Sequence, residues 1–220
     1  MFRSLLLIAL TCLVAGCATV EHQALDTGSS DALRGKTIQT SLYEETSFRS
    51  ITPASSLTGG LVGAAATTLH GNDIVNHYSI KDPAYEIASN IANAMSLEYL
   101  LKIHQGKSVL SSSDDLASLK KIYGSTDYLL DIKTTVWGFA HFPTDWNNYH
   151  VFYRARMRLV RMSDLAVMAE EECYYNPDYE NTDDAPTYEY LLNDNANGIK
   201  TEMQNAITYC EALFNKNLLN

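Results

Sequence analysis

The sequence predicts an α/β (α+β) fold: a mixed sheet with a three-stranded antiparallel meander and helices packed on one face. Three observations predict it. Runs at 127–142, 149–162 and 165–176 read as three long strands, the middle one clearly alternating, joined by a polar loop and by the tight turn Ser163, Asp164, which is the pattern of an antiparallel meander. Segments 82–103 and 196–218 carry apolar residues at helical spacing. The signals arrive in the order β-α-β-α-β-β-β-α, a succession that stacks helices on a sheet.

The first segment is an address. Arg3 precedes an apolar run over 5–15, which is about as long as a signal peptide requires and shorter than the roughly 20 residues of a spanning helix. The run ends in Val14, Ala15, Gly16 and Cys17, which resemble the bacterial lipobox. That resemblance implies a signal peptide over 1–16 and lipidation of Cys17, which would be the first mature residue. Ala18 stands where an aspartate marks inner-membrane retention in enterobacterial lipoproteins, so the implied site is the outer membrane, facing the periplasm. Removing 1–16 takes away Arg3 and no acid, so the formal charge of −10 becomes −11. So acidic a chain lacks the clustered lysine and arginine that nucleic acid requires. With Cys12 removed and Cys17 acylated, Cys173 and Cys210 remain, and an oxidising compartment makes a disulfide between them the default.

The polar stretch 17–35 has the composition of a flexible tether, leaving 36–220 as a single domain. "KTIQTSLYE" (36–44) is the first expected strand. "TGGLVGAAATTLHG" (58–71) is too short to span a bilayer and lacks the lysine of a phosphate loop. Gly59, Gly60 and Gly63 are therefore expected to serve internal packing, with self-association as the sharper alternative. Asp82 is the expected cap of the helix over 82–103, with Pro83 at its first position. "KSVLSS" (107–112) is expected as a short buried strand, and "SDDLASLKKIYG" (113–124) as a short helix whose charges suit its dipole.

On the middle strand of the meander, Val151, Tyr153, Ala155, Met157 and Leu159 fall on one face and Phe152, Arg154, Arg156 and Arg158 on the other. Simple alternation adds Asp131, Lys133, Thr135 and Trp137 to the arginine face, together with Glu170 and Glu172. Tryptophan and arginine are enriched in interface anchors, so Trp137, Phe152, Arg154, Arg156 and Arg158 are the candidate partner-binding residues.

The element order over 36–218 resembles the anticodon-binding-like module of periplasmic proteins: the curli-secretion lipoprotein, the lipoprotein activator of penicillin-binding proteins and the N-terminal domain of the Tol-system propeller protein. The resemblance implies a module that docks envelope proteins or oligomerises, and no active site. Catalytic and metal motifs fail. "DTGSS" (26–30) has no second copy to complete an aspartic-protease pair, "NDNANGIKTEMQ" (193–204) lacks the first aspartate and last glutamate of a calcium loop, and the six histidines show no ligand spacing. The expectation is a non-enzymatic outer-membrane lipoprotein without a cofactor, binding or assembling envelope proteins. A homo-oligomeric secretion or pore subunit and an envelope hydrolase are the alternatives.

Overall fold

The computed structural model describes residues 22–104 and 109–219; the expected signal peptide and Cys17 lie outside them. Asp26 opens the first helix, α1 (Thr27–Leu33), by accepting a hydrogen bond from the Ser29 amide at 2.9 Å. Residues 22–35 thus depart from the expected tether. The few apolar residues in this polar stretch, Leu25 and Leu33, are buried in the main core, and Gln23 pairs with Glu170 of the sheet. "DTGSS" is a helix start.

Among the described residues the sheet has six strands, with β3 (Lys102–Ile103), β1 (Thr37–Thr40), β4 (Tyr128–Phe142), β5 (Asp145–Arg161) and β6 (Ala166–Tyr175) side by side. β2 (Arg49–Ile51) lies along the same edge of β4 as β1, but further on. β1 and β2 run parallel to β4, while β4, β5 and β6 form the expected antiparallel meander. The mixed α/β class is as predicted, and β2 is an addition.

The small-residue stretch is helical. Thr52 and Ser55 form a capping box at the start of α2 (Pro53–Thr58), and α3 (Gly60–Tyr78) follows. Gly59 and Gly60 turn between them with φ of 59° and 53°, where a side chain would be strained. A Cβ on Gly63 would stand 2.7 Å from the Ser55 carbonyl, so its absence lets α2 lie against α3. α4 (Ala84–Tyr99) starts one residue later than expected, with Pro83 at the N-cap position, and Asp82 just before it accepts from the Ala84 amide through Oδ1 at 2.9 Å. The helix ends at a left-handed Leu100, four residues before the sequence pattern does, because 102–103 join the sheet beside β1. Of "KSVLSS", residues 109–112 are described and do not form the expected buried strand: Val109 and Leu110 are exposed, and Ser111 makes an isolated bridge, to Tyr43.

The helices occupy both faces, not one. α4 and α6 (Tyr188–Leu218) cover the main core. α5 (Leu116–Tyr123) packs Leu119 and Tyr123 on Leu129 and Val160, which alternate with the main-core residues Leu130 and Leu159 and so lie on the other side. α6 is broken at 193–196, where Asp194, Asn195 and Ala196 take left-handed φ of 49°, 59° and 57°. This is where the sequence resembled a calcium loop, and no group of ligands able to hold a metal ion occurs among the described residues. Cys173 on β6 and Cys210 on α6 are bonded, with Cα atoms 5.4 Å apart, and pin the last helix to the sheet.

Candidate functional site

The arginine face is assembled as the alternation predicts up to Thr134 and differently beyond it. Thr134 pairs with Ala155 but Val136 pairs with Arg154, so Thr135 is an extra residue in β4. Every later side chain of β4 is shifted to the opposite face. Trp137 therefore points into the main core, fully buried, edge-on to Phe48 at 4.9 Å, and its Nε1 donates to the Thr46 carbonyl. It is not on the arginine face and is not a partner anchor. Phe152 does share the arginine face, but it is 8% exposed and lies across from Gly138.

The three arginines differ in kind. Arg158 is buried and donates through Nε and Nη2 to Oδ2 of Asp131, at 2.9 and 2.6 Å, while Asp131 itself is fully buried. Its Nη2 also donates to the Asp114 carbonyl at 2.7 Å. Arg156 donates to the Asp114 carboxylate at 2.9 Å, which Lys133 approaches at 3.4 Å. Partial burial opposes ionisation of Asp114, yet Lys133 and Arg156 outweigh it and hold its carboxyl below the ordinary range. Arg154 lies over the Tyr174 ring at 4.6 Å and is 41% exposed. Sequence spacing placed the arginines and Asp131 on one face but did not show Asp114, which arrives from the loop before α5. The face is thus largely committed to holding its own loops, and the acidic run before a short helix was the signal that could have shown it.

The same cluster leads to a cleft. Asp131 Oδ1 accepts from Ser41 Oγ at 2.8 Å and from Tyr43 Oη, which draws the chain after β1 across the sheet. Burial first, and the Asp131 charge second, raise the Tyr43 hydroxyl well above the usual tyrosine range, so it stays a donor. Thr46 then returns to β4, its Oγ1 donating to the Thr134 carbonyl at 2.8 Å. Between the loop 41–46, the start of α4 and β4 lies a cavity of about 500 Å³. Leu42, Leu110, Ile132 and Ile207 supply apolar wall; Glu44, Glu45 and Glu86 stand exposed at its rim with Lys81. Asp82 lines it too. Burial raises the Asp82 carboxyl above its ordinary value, against the bonds from Thr134 and Ala84 that favour ionisation. Sequence reasoning missed the cleft because it depends on β1 stopping and β2 starting at different points along β4.

A second feature is the outer surface of α2 and the first half of α3. Leu57, Leu61, Val62 and Leu69 are 73%, 90%, 71% and 68% exposed, while the inward positions of α3 include Gly63, Gly71, Ile74 and Val75.

No protein-family model and no curated protein matches this chain. Among solved structures, it is similar to the hypothetical protein CT253 from Chlamydia trachomatis, with 8% identity and a TM-score of 0.43 over 84% of this chain and 98% of that one. It is also similar to the PelC dodecamer from Paraburkholderia phytofirmans, with 11% identity and a TM-score of 0.41 over 92% and 99%. Lipoprotein GNA1162 from Neisseria meningitidis matches with 12% identity and a TM-score of 0.28 over 81% and 99%. With TM-scores below 0.5, none of the three bears on the reading that follows.

Proposed function

We propose that this chain is a lipoprotein anchored in the outer membrane through Cys17, facing the periplasm, whose domain binds or assembles envelope proteins without catalysing a reaction. The observation that carries the binding reading is the cleft beside β4. It combines apolar wall with an acidic rim, and the acid at its floor is engaged by its own fold: Asp82 accepts from Ala84 and Thr134. Such a concave site with few polar groups suits binding. The lipobox-like 14–17 supports the anchor, and the buried disulfide supports an oxidising compartment. Among the described residues no helix is long and apolar enough to cross a membrane. The resemblance to the anticodon-binding-like module supports docking to envelope proteins.

The reading is tested by crosslinking in cells followed by capture of the full chain. Ala84→Trp, which fills the cleft, should reduce recovery of envelope proteins, while Arg154→Ala should not. Equal recovery from both variants would contradict it.

A second reading, self-association, is favoured by the apolar surface of α2 and α3, since contiguous exposed apolar patches mark interaction sites. The full chain in detergent should then show a mass above the monomer that Leu61→Glu with Leu69→Glu abolishes. A monomer at all concentrations would remove this reading.

A further inference from the structure

We propose that an extended peptide segment of a partner, with an apolar side chain flanked by lysine or arginine, adds as a strand to the free edge of β4 in the cleft. This rests on the binding reading above.

The edge is defined by the hydrogen bonds on either side of it. The Leu130 carbonyl accepts from the Ser41 amide at 3.1 Å, so residue 130 presents its backbone toward β1. Alternate residues of a strand present their backbone to the same edge, so Ile132 and Thr134 face that way too. The Thr134 carbonyl is taken by Thr46 Oγ1. Continuing the parallel ladder would join the Ile132 amide to the Ser41 carbonyl, and among the described residues that bond is not formed. Pairing resumes only at Arg49 and Gly138. Ile132 is 2% exposed and lines the cleft, and a buried backbone group without a partner is unfavourable.

The chain cannot fill this edge with its own loop. Ser41 and Tyr43 are drawn to Asp131, and Thr46 is held by Thr134 and Trp137, so the loop bows away from Ile132 at both ends. An inserted segment of three residues would cover about 10 Å, at roughly 3.3 Å per residue. Main-chain bonds give affinity in strand addition and side-chain pockets give specificity. Leu42, Leu110 and Ile207 offer an apolar pocket. Glu44, Glu45 and Glu86 outnumber Lys81 at its rim, and Lys133 is already paired with Asp114, so the rim favours a cationic segment.

The test uses the full chain in detergent micelles and a short synthetic peptide of alternating valine and lysine. Hydrogen exchange should slow at Ile132 when this peptide binds. The same peptide N-methylated on alternate residues, which cannot pair on one edge, should bind at least roughly tenfold more weakly. A valine and glutamate peptide, or the Glu45→Lys, Glu86→Lys variant with the lysine peptide, should also lose roughly tenfold at low salt. Equal binding of the methylated peptide would mean that the cleft takes any amphipathic cation and would overturn strand addition. Equal binding of the glutamate peptide would overturn the charge argument, and failure of the lysine peptide to bind would overturn the proposal. If the peptides fail while Ala84→Trp still diminishes capture in cells, strand addition falls and the binding reading stands. Loss of that sensitivity as well would remove both.

Discussion

Arg154, Arg156 and Arg158 alternate identically in the sequence, yet their burial ranks them in the fold. Arg158→Met should cost about 3–5 kcal/mol in urea unfolding, because it strands the fully buried Asp131 charge. Arg154→Ala, at an exposed ion pair 3.9 Å long, should cost less than about 1 kcal/mol. Trp137→Ala should cost about 3–5 kcal/mol as a core truncation; a near-neutral result would return Trp137 to the surface. Asp82 makes a prediction of opposite sign. Its folded carboxyl titrates above its unfolded value, so the folded state holds more protons and stability falls as pH rises above about 4. Asp82→Asn should therefore gain in melting temperature relative to the parent between pH 4 and 7, whereas a difference independent of pH would show that the carboxyl is not raised. Alternation fixes which face a residue takes only while the pairing has no bulge; burial depends on which loop arrives to cover that face.

At the scale of elements, the meander, α4 and the second part of α6 were legible because their periodicity is long and their caps are local: Asp82 and Pro83 for α4, alternation for β5. The short pieces were not. β2 has three residues and β3 two, and each exists only because a neighbouring strand offers it an edge, β4 for β2 and β1 for β3. α1 was hidden in polar composition and is recovered by two buried leucines. Thr135 is the clearest case, since nothing in "KTTVWGF" marks which residue is supernumerary. Deleting Thr135 should turn Trp137, Phe139 and His141 to the α5 face and lose the cooperative transition. Near-ultraviolet dichroism would report this as loss of the fixed environment of Trp137; an unchanged spectrum would show that the bulge does not set the register. Gly71 makes the same point for α3: a Cβ there would stand 2.0 Å from the Phe48 carbonyl, so the helix lies on β2 only because the position is glycine.

At the scale of the molecule, the N-terminal segment and the cleft lie on different sides. Gln23 pairs with β6, whereas the cleft opens on the edge of β4 away from β5. If Cys17 carries the proposed lipid, His22 lies five residues beyond it, a covalent reach of at most about 18 Å. A domain held this close to the membrane would present β6 toward its anchor and the acidic cleft outward, where a partner can reach it. The cleft was not legible in the sequence, because it arises from a gap between strands that no short motif records.

The central claim, that the cleft beside β4 receives an envelope partner, is tested most directly by placing a photo-crosslinking amino acid at Tyr85 of the full chain in living cells. Tyr85 lines the cleft and is 67% exposed; Tyr190, 64% exposed and outside the lining, is the control. The account predicts a discrete crosslinked envelope protein from position 85, absent from position 190 and lost on Cys17→Ser. Crosslinks that are the same from both positions, or that persist unchanged without Cys17, would contradict it.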